Sequence, residues 1–137
     1  MTLVQQPPGS RLCGHAIIAM LARTTTGRVA ANLGHERPTT WRELYSILHL
    51  FGIICDPKLQ PCFDLVDLPP VAVVVVPSGS PVVGHWVLKY GDQIYNPACS
   101  EPYPAADLPF ALKPSSDVVK FAVVRNVAVQ ESTHDGA

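Results

Sequence analysis

Charge is sparse in this 137-residue chain. Asp, Glu, Lys and Arg make up 15% of it, well below the usual quarter or so. The two signs nearly cancel, to a net charge of −1, and Lys and Arg form no run. A phosphate backbone needs a basic field, so nucleic acid is excluded as the main partner. No apolar stretch approaches the roughly 20 residues that span a bilayer. The N-terminus lacks a charged segment followed by an apolar stretch and a small-residue cleavage site. The expectation is a soluble, cytoplasmic protein without membrane insertion; if it is exported, the signal lies outside this sequence. Repeats and low-complexity segments are also missing. The four cysteines, Cys13, Cys55, Cys62 and Cys99, include no pair at a usual zinc spacing. No two histidines stand at the i, i+4 spacing of a helical zinc site. Neither metal nor cofactor is expected. With no signal peptide, free thiols are expected in preference to two disulfides.

What the chain does have is apolar residues, at 47%. That is enough for one domain with a real core, and it argues against disorder. The domain is expected over residues 1–129, with 130–137 a polar, frayed tail. Residues 13–23 have no breaker after Gly14 and are apolar on every side from Ala16 to Ala22, which predicts a buried central helix headed by Cys13. Thr24 to Gly27 read as a helix stop, with a short helical turn around Val29 to Leu33. Thr40 and Glu43 fit a capping box. Trp41, Leu44, Tyr45, Leu48 and Phe51 then recur at helical spacing as far as Gly52, so 40–51 is an amphipathic helix. Ile53 to Cys55 reads as a short strand, and 56–70 as a proline-rich loop with at most a turn. Val71 to Val76, bounded by Pro70 and Pro77, predicts a strand buried on both faces. Residues 77–81 read as a turn. His85 to Tyr90 and Gln93 to Asn96 flank Gly91-Asp92 and predict a tight hairpin. Residues 97–117 read as irregular, and Val118 to Arg125 as a last strand. The fold class is α+β, with N-terminal helices packed on a mainly antiparallel sheet.

The chemistry starts at Cys13. A thiol becomes a good nucleophile only as thiolate, and the positive end of a helix dipole favours that form. A buried, inert cysteine is the bland alternative. His85 opens a strand behind small Gly84; alone it reads equally as a histidine satisfied within a sheet. The hairpin changes that weighing, provided its register holds. With Gly91-Asp92 as the loop, Asn96 falls opposite Val87, so His85 and Asn96 share a face as diagonal neighbours. An amide oxygen there can fix one imidazole nitrogen and leave the other for a thiol, which is the nucleophile–base–orienter arrangement. Trp86 and Tyr95 lie on the opposite face and read as core. An oxyanion needs preset donors: the Cys13 backbone N–H is one, and Gln6, or alternatively Gln5, is placed to supply a second. His15, His35, His49 and His134 are rival bases, none with an orienting partner expected from local geometry.

Gln6…Cys13-Gly14-His15-Ala16 with its apolar helix resembles the nucleophile segment of papain-like cysteine peptidases. Gly84-His85-Trp86-Val87-Leu88 and Gln93-Ile94-Tyr95-Asn96-Pro97 resemble their base and orienter segments. In layout the chain, over about residues 5–110, is most similar to the bacteriocin-processing peptidase domain of peptide exporters and its stand-alone relatives. The resemblance implies Cys13 as nucleophile, His85 as general base and acid, Asn96 as orienter and Gln6 as oxyanion donor. It also implies cleavage of a peptide or protein substrate through an acyl-enzyme. The chain departs from that domain in carrying Asn96 where the domain has Asp, as papain-type enzymes do. It departs also in a short spacing between His85 and Asn96, which requires a tight hairpin, and in one extra residue between Gln6 and Cys13. Double-glycine leader preference is not carried over. Three further readings share the pattern: an acyltransferase with an amine as acceptor, a deubiquitinating enzyme with the Josephin-type Cys-His-Asn order, and a silent peptide-binding module.

Overall fold

The structure is a computed structural model, and it describes residues 1–76, 85–108 and 119–129, with the backbone alone at Leu65. The expected turn at 77–81, Gly84, residue 118, the tail from 130 and His134 lie outside the described residues. Among the described residues the order is α1 (Cys13–Ala22), α2 (Thr26–Leu33), α3 (Trp41–Leu50), then six strands. These are β1 (Gln60–Cys62), β2 (Val71–Val76), β3 (His85–Tyr90), β4 (Gln93–Tyr95), β5 (Tyr103–Pro104) and β6 (Val119–Val123). All pair antiparallel into one sheet of order β1-β6-β2-β3-β4-β5. The class is α+β, with helices preceding the sheet.

Helix α1 is buried from Cys13 to Leu21, as an apolar surface on every side requires. Ile17 and Ile18 are fully buried, each contributing about 1.5–3 kcal/mol of burial. The helix lies against Val71 and Val73 of β2 and Trp86 and Leu88 of β3, together with Leu44 and Leu48 of α3. The alternate residues Ala72, Val74 and Val87 turn to the other face and join Ile94, Val119 and Phe121. Strand β2 is therefore buried on both faces, in keeping with its unbroken valine run.

Four local expectations need correction. Thr24 to Gly27 is not simply a stop: Arg23, left-handed at φ 57°, ends α1, and Thr25 caps α2 by accepting the Arg28 N–H, which puts Gly27 inside the helix. Ile53 to Cys55 is not a strand. It crosses the end of β6 through a single bridge, Cys55 to Val124, and side-chain bonds from Asn126 take up the neighbouring backbone groups. Within the proline-rich loop lies β1, whose Pro61 is tolerated because the strand is an edge paired only to β6. Similarly β5, with Pro104, forms the other edge within the segment expected to be irregular. The capping box is as expected: Thr40 Oγ1 accepts from the Glu43 N–H and Glu43 Oε1 from the Thr40 N–H.

Candidate active site

Two halves of the fold meet at the site. The helical half brings Cys13, first residue of α1. The sheet half brings His85, first residue of β3, and Asn96, immediately after β4. The hairpin register is the one the Gly91-Asp92 loop implies, with Tyr90 opposite Gln93 and Leu88 opposite Tyr95. Gly91 takes φ +63°, the left-handed conformation that such a turn needs and glycine adopts at little cost. His85 Nε2 lies 2.6 Å from Asn96 Oδ1.

The proton positions around this contact follow from a second bond. The Ala98 backbone N–H donates to the same Asn96 Oδ1 at 2.9 Å. An N–H can only meet an acceptor, so that atom is the amide oxygen. His85 Nε2 must then carry a hydrogen, and Nδ1 is the nitrogen left to Cys13. Burial by itself pushes the Cys13 thiol up. The hydrogen bond with His85, the Trp86 backbone N–H, the His85 charge and the Gly14 backbone N–H outweigh it, so the thiol titrates below its ordinary value. His85 moves the other way: its bond with Cys13 raises it, burial opposes, and Asn96 and the Cys13 charge reinforce the rise. Both shifts favour a thiolate–imidazolium pair.

Helix α1 has Leu12 at its N-cap and no side-chain cap. Its first-turn N–H groups are therefore not taken up by a capping oxygen, which leaves the positive end of the helix to act on Cys13. Gly14 has a separate task. A Cβ there would fall 1.7 Å from Thr39 Oγ1, so only glycine lets α1 seat this closely. The Thr39 carbonyl in turn accepts from the Trp86 indole N–H at 3.3 Å. Thr39 thus lies between the head of α1 and the start of β3.

Gln6 is half-buried, whereas Gln5 is exposed. The Gln6 backbone N–H donates to the Pro97 carbonyl at 2.9 Å, which docks the N-terminal loop beside Asn96. Its Nε2 donates to the Ser10 carbonyl at 2.7 Å, and its buried Oε1 has no partner among the described residues. One Nε2 hydrogen is held by the Ser10 carbonyl.

Three of the rival histidines are engaged elsewhere. His15 is fully buried, its Nε2 3.0 Å from the His35 carbonyl. His35 does have an orienting partner, contrary to expectation: Glu43 Oε2 lies 2.6 Å from its Nε2, because the capping-box carboxylate reaches back over the loop. His49 stacks on Tyr45. All four cysteines are free thiols. Burial and then the Asp56 charge push Cys55 up to about 11, and burial also raises Cys62. Among the described residues no group of three or more His, Cys, Asp or Glu is arranged to hold a metal ion. A cavity of about 810 Å³ opens at the far end of α1, between Met20, Arg23, Ile53, Tyr90 and Val127; the Cys13 site does not line it.

Thr39, the Trp86 and Ala98 backbone N–H groups and Tyr103, whose hydroxyl bonds the Asn96 side chain, were not legible in the sequence. Only Gly14, directly after Cys13, could have signalled a close approach. A scan of protein families, a search of curated proteins and a search of solved structures each returned no match to this chain.

Proposed function

We propose that the chain is a papain-like cysteine peptidase in which Cys13, His85 and Asn96 cleave a peptide bond through an acyl-enzyme. One observation carries this reading: Asn96 Oδ1 accepts from both Ala98 N–H and His85 Nε2, which commits the other imidazole nitrogen to Cys13. The chain order supports it as well, with the nucleophile heading a buried helix and the base and orienter following on one antiparallel hairpin.

In the mechanism, the Cys13 thiolate attacks the scissile carbonyl carbon, and the carbonyl π electrons move to oxygen. The Cys13 backbone N–H and the second Gln6 Nε2 hydrogen hold the oxyanion. Collapse breaks the C–N bond, and the His85 Nδ1 proton passes to the leaving amine. Water then attacks the thioester, giving a proton to His85; the acid leaves and the thiolate–imidazolium pair is restored.

The test is alkylation of each cysteine by a small iodoacetamide-type reagent, followed by mass spectrometry from pH 4 to 9. Cys13 is expected to react well below the ordinary thiol range of about 8.5, and to lose this in His85→Ala. Cys55, raised to about 11, is the internal control and should stay unreacted. If Cys13 reacts no earlier than Cys62, the ion pair is absent and the proposal falls.

A further inference from the structure

An asparagine makes a poorer orienter than an aspartate in one respect: its two ends differ. Turned over, the Asn96 amide would present Nδ2 hydrogens to the Nε2–H of His85, donor against donor, and would oppose the imidazolium. Something must choose the end that faces the base. Part of the choice comes from the Ala98 N–H on Oδ1. The rest lies on the next strand. Ile94 of β4 pairs with Tyr103 of β5. Asn96, two residues along from Ile94, falls on the same side of the sheet as Tyr103. Burial raises the Tyr103 phenol, and hydrogen bonding by the Asn96 side chain opposes that rise. With Oδ1 already serving two donors, the end left for that hydroxyl is Nδ2.

We infer that Tyr103 is a positioning residue, whose hydroxyl accepts from Asn96 Nδ2 and so keeps Oδ1 turned to His85. This rests on the thiolate–imidazolium reading above. The role is specific to the hydroxyl, because the ring is half-buried against the second core and would pack there without it. The titratable groups that bear on Tyr103 are Cys99, one turn from Asn96, and Asp107; neither bonds the amide.

The experiment is the pH profile of Cys13 alkylation in four proteins: the natural chain, Tyr103→Phe, Asn96→Asp, and the double variant. Losing the hydroxyl should shift the Cys13 profile to higher pH and slow alkylation at pH 6 by about two- to tenfold, the range of one net hydrogen bond. Both ends of an aspartate are acceptors, so in the Asn96→Asp background the same change should alter the rate by less than about twofold, a threshold set inside that hydrogen-bond range. A merely structural role of Tyr103 would give equal losses in the two backgrounds and would overturn the inference. So would an unchanged profile in Tyr103→Phe while the natural chain reacts early and His85→Ala does not. If the natural chain itself shows no early Cys13 reaction, the parent reading fails first and the inference with it. Should Tyr103→Phe fold poorly, Tyr103→His supplies a second ring with a polar edge, and partial restoration of the early reaction is then expected.

Discussion

Asn96 accepts two hydrogen bonds through one oxygen, and the consequences can be measured one atom at a time. Removing it in Asn96→Ala leaves the His85 Nε2–H without its acceptor. A hydrogen bond to a charged group contributes about 1.5–3 kcal/mol, so acylation should slow by about 10- to 100-fold. Single-turnover kinetics with a reactive ester substrate would read this directly. The pH dependence of the same step follows from the two shifts. Cys13 is held below its ordinary value and His85 above its own, and the active form needs thiolate and imidazolium together. Activity should therefore rise as pH climbs through the lowered Cys13 value and fall as it passes the raised His85 value. A profile that only rises toward alkaline pH, as for an unpaired thiol, would contradict the ion pair.

At the scale of elements, the head of α1 and the capping box of α3 bear on each other through residues 35–43. Gly14→Ala sets a methyl against Thr39 Oγ1. Overpacking of this kind costs about 1–3 kcal/mol, and here it would also separate Cys13 from His85. Urea unfolding should show the loss of stability, and Cys13 alkylation should move to higher pH. Adding Thr39→Ala removes the clashing oxygen and should restore part of both. The capping box has its own signature. Thr40→Ala loses one cap bond, about 1 kcal/mol. Glu43→Ala loses the reciprocal cap and the His35 contact together, so thermal denaturation should rank it clearly below Thr40→Ala. Equal losses would mean that the His35–Glu43 contact adds nothing.

In the molecule as a whole, Cys13 and His85 belong to different halves joined by one apolar core running from Ile17 and Leu44 to Val73 and Leu88. A site divided in this way has no existence in either half alone. For a single domain of this size unfolding is expected to be all-or-none, so early Cys13 alkylation should disappear in the same urea transition as the tryptophan signal. Loss of reactivity well before that transition would mean that the halves part while each stays folded.

By itself the sequence determined whatever depends on residues close along the chain. The apolar run after Cys13 makes a buried helix, Thr40 and Glu43 make a capping box, and the valines of β2 make a strand buried on both faces. Gly91-Asp92 sets a register that puts His85 beside Asn96, since a two-residue turn leaves a hairpin little freedom. Proline misled at both sheet edges, where Pro61 and Pro104 occupy strands that need no donor from them. Only the tertiary structure decided the rest: that α1 seats on β3 so that Cys13 meets His85, that Thr39 lies between the head of α1 and the start of β3, that Pro97 docks Gln6, and that β5 lays Tyr103 against Asn96. Most of those contacts join segments far apart in the chain, and all depend on sheet order and core packing, for which no local pattern carries a signal.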